Sequence, residues 1–280
     1  MKVVLAGAFG KLGSDILRAL VRDGHEVTAL DMVVRDIPEV KGKITSKQVD
    51  ITHKASLTGL CQGAEIVITT VGLTGSSATV TNYDIDYQGN LNLLEEAKAA
   101  GVKKFIYISV LKADGDPSVP MLHAKHLFEQ ELKKSGIAYV IHRPTGYFYD
   151  IAKVFMPMIE KGTVTLLGKK PVHANVIDTT DLADFVLLHM NDENVTYDIG
   201  GTETYSYEEI ARMFFEAAGK PAVIKRAPAF LFTILAALAK RKKNGKEAII
   251  KFSKWTLSEE MVADHKYGKL SFKEYIKSCY

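Results

Sequence analysis

Three glycines, Gly7, Gly10 and Gly13, follow directly on the apolar run Val3-Val4-Leu5-Ala6. A pyrophosphate can come close to main-chain N–H groups only where no Cβ intervenes and the backbone can take unusual dihedrals. In such a loop Gly7 makes the turn out of a strand, Gly10 admits the phosphate and Gly13 lets the next helix sit close to the sheet, with Phe9, Lys11 and Leu12 completing it. A glycine triplet alone says little. Here Leu12, Ile16, Leu17 and Leu20 recur at helical spacing after the turn, and His25 to Asp31 supplies a second strand. Asp31 ends that strand 18 residues after Gly13, where a carboxylate can accept hydrogen bonds from the adenosine ribose and repel a 2′-phosphate. The pattern predicts a dinucleotide pocket that favours NAD. Arg35, four residues on, leaves NADP possible.

Alternating strands and amphipathic helices must hold these residues in place. Lys47 to Ile51, Glu65 to Gly72, Lys104 to Ser109 and Ala138 to His142 read as the third to sixth strands, with helices from Asp84 to Ala100 and Leu122 to Lys134 between them. That rhythm predicts an α/β fold with a doubly wound parallel sheet, whose ligands lie beyond the carboxyl ends of the strands. The loop Arg143 to Tyr149 then flanks the site, and Tyr147 and Tyr149 either line it or donate a proton. Asp178 to Asp184 reads as a capped helix start, and Val195 to Ile199 as a strand returning to the sheet. The expected division is a Rossmann domain of residues 1–146 plus about 176–200, and a small C-terminal substrate or partner lobe of about 147–175 plus 201–280.

With 280 residues, 47% of them hydrophobic, the chain can bury one large core with an appended lobe. Its 36 basic and 33 acidic residues give a net charge of +3, too small a field to call for nucleic acid. Cys61 and Cys279 show no metal-like spacing, and the first strand begins at Met1-Lys2 with no room ahead for a leader; both fit a cytoplasmic protein. The longest apolar stretch, Ala227 to Ala239, is too short to span a bilayer and runs into Lys240-Arg241-Lys242-Lys243. It is expected to pack on the core with its cations at the helix C-terminus. Peripheral membrane contact is the less favoured outcome.

The glycine loop, Asp50-Ile51, the run Asp86 to Leu94, Lys125 and Arg143-Pro144-Thr145-Gly146 together resemble the short-chain dehydrogenase/reductase superfamily, within it the atypical, extended, NmrA-like branch. The resemblance implies a Rossmann domain binding NAD(P), with Asp50 and Ile51 near the adenine, Val71 and Gly72 near the phosphates and ribose, and Pro144 beside the nicotinamide. Active members pair a tyrosine with a lysine four residues later. Here Met121 stands four residues before Lys125, and methionine has no proton to give. The companion hydroxyl position falls near Ser109, although Val110 aligns better. Lys125 keeps a role in holding the ribose diol, so the catalytic candidates are Lys125, Tyr147 and Ser109. His123 lies two residues before Lys125 and points to a different side of the helix. His123 and His126 have no acidic or cysteine partner nearby in sequence, so no metal site is expected, and His173 is a weaker candidate than Tyr147 and Tyr149 to donate a proton or line the site.

Two functions fit these residues. One is an NAD(P)-dependent oxidoreductase that moves hydride to or from a small carbonyl or activated alkene without the usual tyrosine. The other is a non-catalytic NAD(P)-responsive sensor or assembly protein, with Tyr205 to Ala218 and Ala227 to Lys243 as its partner surface. Both a monomer and a homodimer are compatible with the sequence.

Overall fold

The computed structural model describes residues 1–242 and 245–280. The chain opens with strand β1 (Lys2–Ala6), helix α1 (Lys11–Arg22) and strands β2 (Glu26–Asp31), β3 (Ile44–Gln48) and β4 (Ile66–Thr69). A π-helical turn, Tyr83–Gly89, then runs into α2 (Asn90–Ala99), followed by β5 (Lys104–Ile108), α3 (Pro120–Lys134) and β6 (Ala138–Pro144). Next come α4 (Phe148–Glu160), β7 (Val164–Leu167), β8 (His173–Ala174), α5 (Thr179–Leu188) and β9 (Val195–Gly200). The last part holds β10 (Tyr205–Ser206), α6 (Tyr207–Ala217), β11 (Ile224–Ala227), α7 (Phe230–Arg241), α8 (Lys246–Thr256), β12 (His265–Lys266) and α9 (Phe272–Ser278).

An eight-stranded sheet runs in the order β12-β9-β6-β5-β4-β1-β2-β3. Its strands pair in parallel, β1 with β2 on one side and with β4 on the other. The strand order therefore reverses at β1, and the glycine loop leaves β1 at that switch point. Chain connectivity explains the buried strands: Val3 to Ala6, Ile66 to Thr69 and Lys104 to Ile108 are covered on both faces, and they read as continuous apolar runs. The third strand is different. It lies at the sheet edge with four of its five residues exposed, so it carries no hydrophobic signature and occupies Ile44–Gln48 rather than Lys47 to Ile51. Val49 and Ile51, the apolar residues that suggested a strand there, are core residues just past its end.

The chain divides into two compact units, the first made of residues 1–74, 79–143 and 182–197, the second of 75–78, 144–181 and 198–280. In the first, Phe105, Tyr107 and Phe128 form the centre of a core shared with Val4, Val67, Leu93 and Ile141. In the second, β8 pairs antiparallel with β10 and β7 parallel with β11. Phe148 packs on Phe272 at 4.7 Å between ring centroids, and Phe155 on Phe214 at 5.6 Å. Helix α6 starts in a capping box between Ser206 and Glu209 and buries Tyr207, Ile210, Phe214 and Phe215. The Tyr205 to Ala218 stretch is thus core in its apolar part, and the expectation of a partner surface there is corrected. Helix α7 departs from expectation in the opposite sense: it leaves most of its large apolar side chains in solvent. Lys243, the last residue of the basic run after it, lies outside the described residues.

One buried group ties the first unit's stability to pH. His142 on β6 is fully buried, stacked on Tyr197 and edge-on to Phe185, and neither ring nitrogen has a hydrogen-bond partner among the described residues. Burial, and secondarily the nearby His189, lower its pKa from 6.5 to about 3. Between those values the unfolded chain binds the proton and the folded chain does not. Stability is therefore intact above pH 6.5 and declines as the pH falls toward 3, by about 1.4 kcal/mol per pH unit. His142→Phe should flatten urea-measured stability across pH 4 to 6 relative to the parent protein, at little cost near neutrality.

Candidate functional site

The glycine loop is built by close backbone approach. Gly7 takes φ +77°, and a Cβ there would lie 2.5 Å from Thr70 Oγ1. A Cβ on Gly13 would collide with the Gly7 carbonyl, so only glycine lets α1 start this close to the turn. At Gly10 the nearest atom to an added Cβ is the Gly7 oxygen at 3.4 Å, and the residue is exposed. The first amides of a helix have no intrahelical acceptor, and no side chain caps those of α1. These are the features of an anion cradle at the N-terminus of a twelve-residue helix. Leu12 is buried, and Phe9 is 4% exposed; these two anchor the loop, while Lys11 remains in solvent.

Asp31 does more than end β2. Its Oδ2 accepts the Phe9 amide at 2.9 Å and its Oδ1 the Val33 amide at 3.3 Å. The carboxylate thereby fixes the glycine loop against the second strand while staying partly open to solvent, with acceptor capacity left for a diol. Asp50 is more committed. Its Oδ1 accepts both the Thr52 amide and the Thr52 hydroxyl, at 2.9 and 2.7 Å, and its Oδ2 lies 3.2 Å from His53 Nδ1. Burial alone would raise its pKa, but the bonds from Thr52 and the neighbouring His53 outweigh it and hold the carboxyl below its usual value. Ile51 is buried, and a Cβ on Gly89 would press on it at 2.8 Å, which explains a glycine at the end of the π-helical turn.

The most informative geometry surrounds Lys125. Its ammonium, on a side chain only 10% exposed, sits 3.1 Å from Asp86 Oδ1 and 5.3 Å over the Tyr107 ring. Asp86 is fully buried, and its Oδ2 accepts from the Leu73 amide and from Asn82 Nδ2 at 3.2 and 2.9 Å. Both charged groups lie against Gly72: a Cβ there would be 2.7 Å from Asp86 and 3.0 Å from Lys125. Asn90 completes the arrangement, accepting from Thr69 Oγ1 at 2.8 Å and donating to the Val71 carbonyl at 3.2 Å. The sequence singles out Val71, Gly72 and Lys125 separately, and the structure brings them together. Asp86, the counter-ion, carries no signal of its own in the sequence beyond its place in the Asp86 to Leu94 run.

Ser109 has a different commitment. Its hydroxyl donates to Glu129 Oε1 at 2.5 Å, and Glu129 in turn receives Arg143 through both oxygens. Glu129 is 1% exposed, and Arg143 also reaches Asp114 at 3.4 Å. Ser109 is therefore part of a buried ion-pair network. Met121 is buried one helical turn before Lys125, where it can only pack. His123 Nδ1 lies 3.0 Å from the Tyr83 hydroxyl, His126 Nε2 lies 2.9 Å from Gln130, and no metal-binding cluster exists among the described residues.

Pro144, Tyr147 and Tyr149 belong to the second unit. Pro144 closes β6, and Tyr147 caps the start of α4 in extended backbone. Tyr147 and Tyr149 stack at 5.7 Å, with Asp150 beside them. Burial, then Tyr149 and Asp150, push the Tyr147 hydroxyl well above its usual pKa, and burial raises Asp150 despite Lys153 and a bond from Tyr149. Asp150 is a titratable group that sequence spacing did not single out. His173 forms a half-exposed pair with Glu260.

The model of the NmrA-like family matches residues 1–256. The chain belongs to the NmrA-like family. This NmrA-like chain is 28% identical over 242 residues to the photosystem II assembly factor Ycf39 of Cyanophora paradoxa, covering 82% of this chain and 73% of that one. Its fold is that of a nucleoside-diphosphate-sugar epimerase from Staphylococcus aureus, with TM-score 0.79 at 18% identity over 99% of this chain and 100% of the other. It is similarly close to the NADPH-dependent quinone oxidoreductase QOR2 of Escherichia coli, solved with NADPH, with TM-score 0.73 at 20% identity over 99% of both chains. The expected doubly wound Rossmann architecture is thereby shown, and the NmrA-like branch expected from the sequence is the family that matches.

The NmrA-like site makes a stability prediction. Asp86→Asn leaves the Lys125 ammonium buried without a counter-charge and should lower the free energy of unfolding by about 3 kcal/mol in urea titration. Asp86→Asn combined with Lys125→Met should recover more than half of that loss, because the charge needing compensation is gone.

Proposed function

We propose that this NmrA-like chain binds NAD(P) on the glycine loop of its first unit and responds to it as a sensor or assembly protein, rather than using it as a routine hydride donor. A bound dinucleotide would supply a redox-active nicotinamide. The chain's own residues would hold it: the α1 amides and Gly10 take the pyrophosphate, Asp31 the adenosine ribose, and Val71 and Gly72 leave room for the rest. The close backbone approach that glycine at 7 and 13 permits, where a Cβ would strike Thr70 or the Gly7 carbonyl, supports binding. The observation that carries the non-catalytic part is the Lys125 arrangement, an ammonium 3.1 Å from a buried carboxylate with methionine where a tyrosine would pass the proton. Ser109, already bonded to Glu129, adds no free hydroxyl. The likeness to photosystem II assembly factors supports the same reading. Cys61 and Cys279 are free thiols, and we place the protein in a reducing, cytoplasmic setting.

A second reading keeps the oxidoreductase, with hydride passing to a small carbonyl or activated alkene. The stacked Tyr147 and Tyr149 beside Asp150 favour it, since a carboxyl with a raised pKa can hold a proton. Fluorescence titration with NADH and NADPH, followed by nicotinamide absorbance against carbonyl, enone and quinone panels, separates the two. Saturable binding without turnover supports the sensor; sustained NADH consumption that Asp150→Asn abolishes supports the enzyme and sinks the first reading.

The preference for NAD rests on Asp31. Replacing it by Ala should weaken NADH binding about tenfold, by loss of the ribose bonds and of the Phe9 anchor, and should weaken NADPH less, because the repulsion of a 2′-phosphate is removed as well. Equal losses for both cofactors in the same titration would count against the assignment.

A further inference from the structure

Helix α7 presents five large apolar side chains to solvent on one face. Phe230, Leu231, Ile234, Leu235 and Leu238 are 60, 41, 50, 50 and 48% exposed, at helical spacings that align them along a ridge about 12 Å long. On the opposite side Ala236 and Ala239 are buried and Phe232 is half-buried, and there α7 lies against α8, with Lys254 Nζ donating to Thr233 Oγ1 at 3.0 Å. Scattered exposed leucines need no explanation, but a continuous ridge of this kind does.

The charge around the ridge says what covers it. Residues 220–256 contain ten of the chain's 36 basic residues and, in Glu247, one of its 33 acidic ones. This segment therefore carries +9 within a chain whose total is +3, and Glu247 is itself paired with Lys251. Lys240, Arg241 and Lys242 stand exposed at the end of the ridge, and Lys246 begins the next helix in solvent. A second copy of the chain docking on this face would set one strongly positive segment against another. A convex apolar ridge edged with cations fits a surface that is apolar inside and anionic outside. We infer that the α7–α8 hairpin lies on an anionic lipid bilayer, with the ridge at the level of the upper acyl chains and the basic residues among the headgroups. No helix among the described residues is long and apolar enough to cross a membrane, so the contact is peripheral. Packing of this segment on the core, expected from the sequence, is corrected by the exposure of the ridge.

Flotation of the full-length protein with phosphatidylcholine vesicles, with and without phosphatidylglycerol, tests the inference. The parent protein should float with the anionic vesicles and stay behind with the neutral ones, and salt of about 0.5 M should release much of it. Ile234→Glu with Leu235→Glu, and separately Lys240→Glu with Lys242→Glu, should each reduce the bound fraction about tenfold, with circular dichroism and the urea midpoint unchanged as proof of folding. These substitutions lie outside the glycine loop and leave NADH titration as an independent check of the first unit. The inference is overturned if the parent protein ignores anionic vesicles, whether it then dimerises through this face in light scattering or takes an acidic protein there. It is equally overturned if both pairs of substitutions leave flotation intact.

Discussion

The close approach of α1 to the turn after β1 governs the rest of the first unit. It requires the absence of side chains at Gly7 and Gly13, and it places unpaired helix amides at the point where the parallel sheet reverses its order. Asp31 then holds the loop by accepting the Phe9 amide, so one carboxylate at the end of β2 shapes the turn after β1. Removing either glycine would not merely narrow a pocket. It would push the helix away from the strand and disconnect the loop from the second strand.

The buried ion pairs of this unit are costly unless they are complete. Lys125 with Asp86, and Arg143 with Glu129, are each nearly dry, and each is joined by further donors: Asn82 and the Leu73 amide on one, Ser109 on the other. Such networks stabilise only when every member is satisfied. They also restrain chemistry, because a lysine neutralised by a carboxylate and a serine donating to another are poorly placed to serve a substrate. Met121 in the helix between them is consistent with a site that has kept its binding frame.

Much of this was legible from residue order. The glycine loop, the central strands and Lys125 announced themselves because burial on both sheet faces leaves continuous apolar runs, and because glycine requirements are absolute where backbones touch. The edge strand Ile44–Gln48 did not, since a half-solvated edge carries no apolar alternation. Asp86 and Asp150 were missed for a related reason: a single carboxylate, whether in the polar run around Asp86 or among the aromatics before Asp150, looks solvated until the fold closes round it. The exposed ridge of α7 was misread because an apolar helix reads as core by composition alone, and only its surroundings reveal that nothing in the described chain covers it.

Asn90 and Asn92 have a dynamic consequence. Asn90 donates to the Val71 carbonyl after β4, while Asn92 donates to the Ile51 carbonyl three residues beyond the end of β3, at 3.0 Å. Two amides only two residues apart on α2 thus tether two loops that are otherwise far apart in sequence. Each bond fixes one carbonyl, so the first turn of α2 holds the segment after β3 and the segment after β4 in a single arrangement. A ligand that touched only one of them would still quiet both.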